Sequence, residues 1–133
     1  MLTVEDVMNL KPCAIYTREM VENLFAGKPE CGLQDFLSMD RPDCDKITVI
    51  LWGNLVSAEK QQRLKSLYLS RINKMRAPRL WREANNGNCA DAAHAAQKYM
   101  IITSGATSQL QRREAIDNEA AWQLSKLIEA IND

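Results

Sequence analysis

The chain has 133 residues, of which 46% are hydrophobic and 26% charged, and its 17 basic residues balance 17 acidic ones. This composition excludes an intrinsically disordered chain, and the zero net charge argues against a strongly acidic mimic of nucleic acid. At this length we expect a single helical domain over residues 1–133. The Ala, Leu, Glu, Gln, Lys and Arg content of the second half favours helix. We therefore predict an all-α fold, a compact single-domain bundle of six or seven helices with a long C-terminal helix.

Three short helices are predicted in the first third of the chain, and Pro12 is expected to end the first of them. Thr3 and Thr17 stand where N-caps are expected, and apolar residues with helical spacing follow each of them. A third helix, over residues 32–39, carries apolar side chains at i, i+3 and i+4 and stops before Pro42. We expect this third helix to be an interior packing piece.

Residues 46–52 allow two interpretations. Their β-branched run suits a buried strand, but the sequence contains no second run that could pair with it. We therefore predict a buried helix here. Ser57 then stands as a plausible N-cap of the next helix, with Glu59 in its first turn.

A helix over about residues 58–76 explains how basic residues are displayed. At 100° per residue, one stripe faces the core and consists of Leu64, Tyr68, Ile72 and Met75. An adjacent stripe consists of Lys60, Arg63, Arg71 and Lys74. Four cations thus share one solvent-facing edge, which Arg76, Arg79 and Arg82 extend past the helix end. Pro78 fits the first turn of a further short helix that contains Trp81.

An alanine-rich helix and the long C-terminal helix complete the fold. Asn88 and Asp91 stand in capping positions at the start of the first, and Ser104-Gly105 ends it. The last helix, about residues 108–131, has one apolar face made of Leu110, Ile116, Ala120, Leu124, Leu127, Ile128 and Ile131. Trp122 lies outside that face. Either a second element covers Trp122, or it is an exposed anchor for a partner.

Few residues indicate catalysis or metal binding. The four cysteines, Cys13, Cys31, Cys44 and Cys89, form no C-x-x-C pair, so we interpret them as small buried residues and predict no metal and no cofactor. We interpret His94, the single histidine, as structural, because no nucleophile or carboxylate stands at a motif spacing from it. Phosphate-loop, nucleophile-elbow and paired-histidine motifs are missing, and we expect no enzyme.

The sequence also favours a protein that does not enter membranes. No apolar run approaches the roughly 20 residues that a membrane span needs. The first six residues lack the basic and apolar regions of a signal peptide. We therefore expect a cytoplasmic protein.

The layout of the second half resembles a known family. Leu51-Trp52 is followed by the basic helix, then by the alanine-rich residues 90–96, and finally by residues 119–128 with Trp122-Gln123. This order resembles bacterial immunity proteins of polymorphic toxin systems, which are small, mostly helical proteins with alanine-rich helices. The resemblance implies a protein that binds and neutralises a partner, and it assigns a role to no individual residue.

The charge distribution suggests how a partner would be bound. Between Lys60 and Arg82 the chain has eight basic residues and no acidic one. Such a stripe can face phosphate, face an acidic protein, or pair internally with acidic residues of the first half. The candidate partner-binding residues are Lys60, Arg63, Arg71, Lys74, Arg76, Arg79, Arg82, Trp81 and Trp122.

Three functions are compatible with this stripe. The first is a non-catalytic, protein-binding inhibitor, immunity-like or phage-encoded and anti-defence, that blocks a toxin or a nuclease-type complex through its charged surface. The alternative is a nucleic-acid-binding accessory protein whose basic helix, residues 58–82, tracks phosphates while Tyr68 or Trp81 stacks on bases. The third is a small enzyme, which the missing motifs disfavour. Apart from the stripe, Trp122 and the C-terminal helix would suit an assembly subunit, with the two as its homodimer face.

Overall fold

The structure is a computed structural model that describes residues 1–10, 16–53 and 55–133. These residues form eight helices and one antiparallel two-stranded sheet. The all-α prediction is confirmed. The eight helices exceed the total of six or seven that was expected, although each of the eight matches a segment predicted as helical. The residues group into two compact units, Met1–Arg41 and Pro42–Asp133. The single domain over residues 1–133 stays a prediction.

The first unit has three short helices and the sheet. The helices are α1 (Val4–Asn9), α2 (Arg18–Leu24) and α3 (Leu33–Leu37), and the strands are β1 (Leu2–Thr3) and β2 (Glu30–Cys31). The predicted caps are confirmed, because the hydroxyl of Thr3 accepts from the backbone N–H of Asp6 and that of Thr17 from Met20. The sheet was not predicted, since strands of two residues show no alternating pattern. The predicted end of α1 at Pro12 lies outside the described residues.

The second unit consists of five helices. They are α4 (Asp43–Trp52), α5 (Ala58–Ser70), α6 (Pro78–Asn86), α7 (Cys89–Ser104) and α8 (Gln109–Asn132). Helix α7 packs against the other four, and α8 also packs against α4 and α5. Ala92, Ala93 and Ala96 on α7 are fully buried. Small side chains let helix backbones approach closely, which explains why the alanine-rich helix occupies the centre.

Local signals located most helix starts correctly. Residues 46–52 are part of a helix, with Ile47 and Ile50 fully buried, so the predicted buried helix is confirmed. Ser57 and Asn88 cap α5 and α7, and their side chains accept from the backbone N–H groups of Lys60 and Asp91. Pro78 begins α6 as predicted. None of the described helices combines the length and the apolar character that crossing a bilayer requires.

Two predictions about the core were wrong. Helix α5 ends at Ser70 rather than near residue 76, and Met75 is 90% exposed. The side chain of Asn73 accepts hydrogen bonds from the backbone N–H groups of Met75 and Arg76, and this turn replaces the expected helical continuation. Leu110 is 70% exposed and lies in a run, residues 107–114, in which every residue is exposed, so the apolar face of α8 is not covered at its start.

Candidate functional site

The predicted basic edge is divided into two parts by the packing of α5 against α8. At the start of α5, the ammonium group of Lys60 donates to the backbone oxygen of Asp133 at 3.1 Å. The guanidinium of Arg63 donates to a carboxylate oxygen of the same residue at 3.2 Å. Both contacts are exposed, and such surface pairs contribute about 0–1 kcal/mol each. Lys60 and Arg63 therefore lie along the seam between α5 and the end of α8, where each contacts Asp133 although both side chains remain in reach of solvent.

Arg71 ends this seam with a much more buried contact. Its guanidinium donates to both carboxylate oxygens of Glu119. Nε lies 3.1 Å from Oε1 and 3.3 Å from Oε2, and Nη2 lies 2.9 Å from Oε1. The Glu119 side chain is 1% exposed and that of Arg71 is 37% exposed. A charge-assisted pair of this geometry holds the end of α5 against α8. We refer to Lys60, Arg63 and Arg71 as the seam cations.

Trp122 is part of the same contact. The guanidinium carbon of Arg71 lies 4.2 Å from the centre of its ring, and the Tyr68 ring meets it edge-on with centres 6.3 Å apart. Trp122 is half-buried. Of the two interpretations of this tryptophan, the structure supports the one in which a second element, here α5, covers it.

A buried polar network lies beneath Arg71, and it was not predicted from the sequence. Gln123 is fully buried and donates to the backbone oxygen of Ala93 at 2.9 Å, while its own side-chain oxygen accepts from Gln97 at 3.0 Å. The Tyr68 hydroxyl donates to the Gln123 backbone oxygen at 3.0 Å, and burial raises the pKa of Tyr68 well above its usual range. The available signal was that Gln123, and further round the helix Glu119, border the apolar stripe of α8, where a polar side chain covered by a neighbouring helix needs partners.

The other part of the edge forms an exposed basic surface. We define this surface as Lys74, Met75, Arg76, Arg79 and Arg82, all of which are exposed. Among the described residues, no carboxylate lies within ion-pair distance of its four cations. The four cations of this surface are therefore not held in ion pairs within that part of the chain.

The backbone of the 73–77 turn holds this surface in one arrangement. The Asn73 side chain accepts from the N–H groups of Met75 and Arg76 at 2.9 and 3.3 Å, and its backbone oxygen accepts from Ala77 at 3.0 Å. The ammonium group of Lys74 lies 4.3 Å from the centre of the Trp81 ring on α6. The turn therefore presents Met75 outward between cations.

Helix α6 carries the remaining two cations of the surface. Arg79 and Arg82 are three residues apart, so they share one face of the helix, while Ala84 on another face is fully buried. Trp81 is half-buried and Lys74 covers its ring. The aromatic ring proposed to stack on bases is thus already in contact with a cation.

His94 occupies a packed position between α7 and α4. Its Nε2 lies 3.0 Å from the hydroxyl oxygen of Thr48, and that hydroxyl donates its proton to the backbone oxygen of Cys44 at 2.9 Å. Because the single hydroxyl proton is already used, the imidazole is the donor, with its proton on Nε2. Burial lowers the pKa of His94, and nearby Asp91 opposes this shift only in part.

We expect His94 to make the protein less stable in mild acid. The folded state favours the neutral imidazole, so the unfolded chain, whose histidine pKa is about 6.5, takes up a proton first as the pH falls. Stability from this residue is complete above about pH 6.5 and is lost as the pH falls toward the lower folded pKa. His94→Gln retains an N–H donor without this titration. Urea unfolding at pH 8 and pH 5 should show a larger loss for the wild-type protein, and equal losses would contradict the assignment.

Burial raises the pKa of each of the three described cysteines, one of which lines a cleft. A cleft of about 490 Å³ lies between the starts of α5 and α7 and is lined in part by Gln61, Lys65 and Cys89. Burial raises the pKa of Cys89 to about 12, so its thiol stays protonated near neutral pH. Cys31 is buried and Cys44 half-buried, whereas Cys13 lies outside the described residues. In the described ranges, no group of three or more His, Cys, Asp or Glu side chains is placed to hold a metal ion.

The structure therefore distributes the predicted site residues over two locations. The seam with α8 includes Lys60, Arg63, Arg71 and Trp122. The exposed basic surface includes Lys74, Arg76, Arg79 and Arg82, with Trp81 beneath Lys74. Comparison of the chain with protein-family models, with curated proteins and with solved structures finds no match.

Proposed function

We propose that this protein is a non-catalytic inhibitor that acts in the cytoplasm by docking its exposed basic surface on an acidic region of a partner enzyme or complex. The observation that carries the proposal is a group of four exposed cations that includes both chain neighbours of Met75, whose side chain is 90% exposed. Met75 offers a partner an apolar side chain to bury, which solvent-facing charge alone does not.

The physical properties of the surface suit protein recognition. Unpaired cations accelerate encounter with an acidic partner and disfavour basic ones. Hydrogen bonds that the Asn73 side chain accepts already order the 73–77 turn, so binding loses less conformational entropy than docking of a flexible loop would. The seam cations contribute to the general field, but Arg71 is held by Glu119 and is not free to form a new ion pair.

Nucleic-acid binding is the second candidate. The same unpaired cations, Arg76, Arg79 and Arg82 above all, can contact phosphates. The stacking part of that hypothesis is less well supported, because Tyr68 is fully buried and the Trp81 ring is covered by Lys74. We therefore favour a protein partner. The resemblance to immunity proteins, a phage-encoded anti-defence role and a homodimer stay predictions.

Charge reversal on the exposed basic surface tests the proposal. We expect Arg76→Glu/Arg79→Glu to slow association with the partner by roughly tenfold or more, because an attractive surface becomes repulsive. The partner is first identified by capture with the tagged wild-type protein from a nuclease-treated bacterial lysate. Association of the purified pair is then measured at two salt concentrations.

A matched variant separates local from global charge. Lys98→Glu/Arg112→Glu produces the same change in net charge at two exposed cations on α7 and α8. We expect this control to keep near-normal association. Equal slowing in both variants would contradict docking through this surface. Capture that disappears on nuclease treatment would instead support the nucleic-acid alternative.

A further inference from the structure

The chain leaves α5 for the exposed basic surface directly at Arg71. The backbone N–H groups of Arg71 and Ile72 donate to oxygens three residues back, those of Tyr68 and Leu69, so the helix tightens and ends there. Ile72 is 4% exposed and fixes the next position in the core. The 73–77 turn then begins. The direction in which the turn leaves the bundle is therefore set by the last turn of α5.

The side chain of Arg71 holds that last turn through two kinds of contact. Three N–H···O contacts join its guanidinium to the buried carboxylate of Glu119. The guanidinium carbon also lies over the Trp122 ring, 4.2 Å from its centre. A planar fork that is both paired and held over a ring allows less rotation than a lysine ammonium would.

Stability alone is a weak reason for such a pair. A buried ion pair loses much of its Coulombic gain to desolvation, and well-packed apolar residues of similar volume often stabilise a fold as well or better. The pair instead constrains the orientation of α5 relative to α8, because the guanidinium must meet the Glu119 carboxylate and the Trp122 ring at the same time.

We propose that Arg71 is a positioning residue, which acts through Glu119 and Trp122 to fix the orientation of the exposed basic surface and does not contact the partner. The inference rests on the proposed function for its biological meaning, but its structural part concerns the free protein. It assigns Arg71 and Trp122 to the support of the binding surface, although both were candidates for direct partner contact from sequence.

Amide hydrogen exchange in the free protein tests this role. The reporters are the N–H groups of Met75 and Arg76, which are bonded to the Asn73 side chain. In the double variant Arg71→Met/Glu119→Leu, the pair is replaced by apolar side chains. We expect exchange of these two amides to be at least tenfold faster, with exchange in α7 unchanged. Asn73→Ala removes the acceptor of the Met75 N–H but keeps the backbone oxygen to which Arg76 also donates, so exchange at Met75 in this variant shows the upper limit of the effect.

The result distinguishes positioning from general stability. Unchanged exchange at Met75 and Arg76 in a folded double variant would overturn the proposal. If α7 also loses protection, the variant has lost its fold, and Arg71→Lys then replaces it, since it keeps the charge but neither the fork nor the stack. For Arg71→Lys we expect faster exchange that is confined to the 73–77 turn, and its absence would equally overturn the proposal.

A binding measurement separates this inference from the proposed function. Arg71→Lys leaves every charge of the exposed basic surface unchanged, so a several-fold weaker affinity for the captured partner reports orientation rather than charge. Unaltered affinity together with faster exchange would overturn the link to binding. If Arg76→Glu/Arg79→Glu also binds normally, the proposed function fails while the exchange result still stands.

Discussion

Replacing Arg71 with glutamate should lower the free energy of unfolding by about 3 kcal/mol or more, because breaking a buried pair leaves an uncompensated charge. The variant places a second carboxylate beside Glu119, whose side chain is 1% exposed. It also removes the cation that lies over Trp122. Partial access of water to Arg71 sets our expectation at the low end of the range for buried pairs. Urea unfolding at neutral pH measures the difference.

Lys74→Glu is the matched control for this prediction. It makes the same charge change three residues along the chain, at an exposed residue with no carboxylate partner among the described residues. Because the change also removes the Lys74 ammonium from the Trp81 ring, we expect its effect on stability to stay within about 1 kcal/mol. Small and equal effects of the two changes would mean that Arg71 faces solvent, as the sequence analysis expected.

Replacing Ala93 with leucine should destabilise the second unit by about 3 kcal/mol, at the upper end of what overpacking costs. Ala93 is fully buried on α7, and its backbone oxygen accepts a hydrogen bond from Gln123. Added methyl groups would force α7 and α8 apart and stretch the polar network between them. Thermal and urea unfolding of the purified variant measure the loss.

Ala121→Leu tests whether burial is the cause. Ala121 is exposed on α8, and alanine and leucine both have high helix propensity, so the same substitution there changes little but bulk. We expect a change within about 0.5 kcal/mol. A loss similar to that of Ala93→Leu would show that close packing of the alanine helix is not what limits side-chain size.

Local chemistry explains the features that were predictable. Ser57 and Asn88 bond backbone N–H groups three residues away, and Pro78 occupies the first turn of its helix. These contacts need only a few neighbouring residues, so their signals are complete within a short segment. The helix over residues 46–52 was predictable by exclusion, since a buried strand needs a partner that the chain does not offer.

The exposure of individual apolar residues was less predictable. Periodicity assigned Leu110 and Met75 to core faces, yet both are exposed. A helical pattern states which face of a helix is apolar, but not whether another element reaches that turn. Helix α5 ends at Ser70 and is followed by the turn that the Asn73 side chain stabilises, which leaves Met75 in solvent. At the start of α8, residues 107–114 are all exposed.

By itself, the sequence determined the helical class, the helix starts and the presence of a basic tract in this protein, because propensity, capping and charge are properties of adjacent residues. The tertiary structure decided which of those cations are available. Arg71 and Glu119 are 48 residues apart, and Arg63 and Asp133 are 70 apart. Attraction between charges depends on distance in space and on burial, and only the packing of α5 against α8 sets these two quantities.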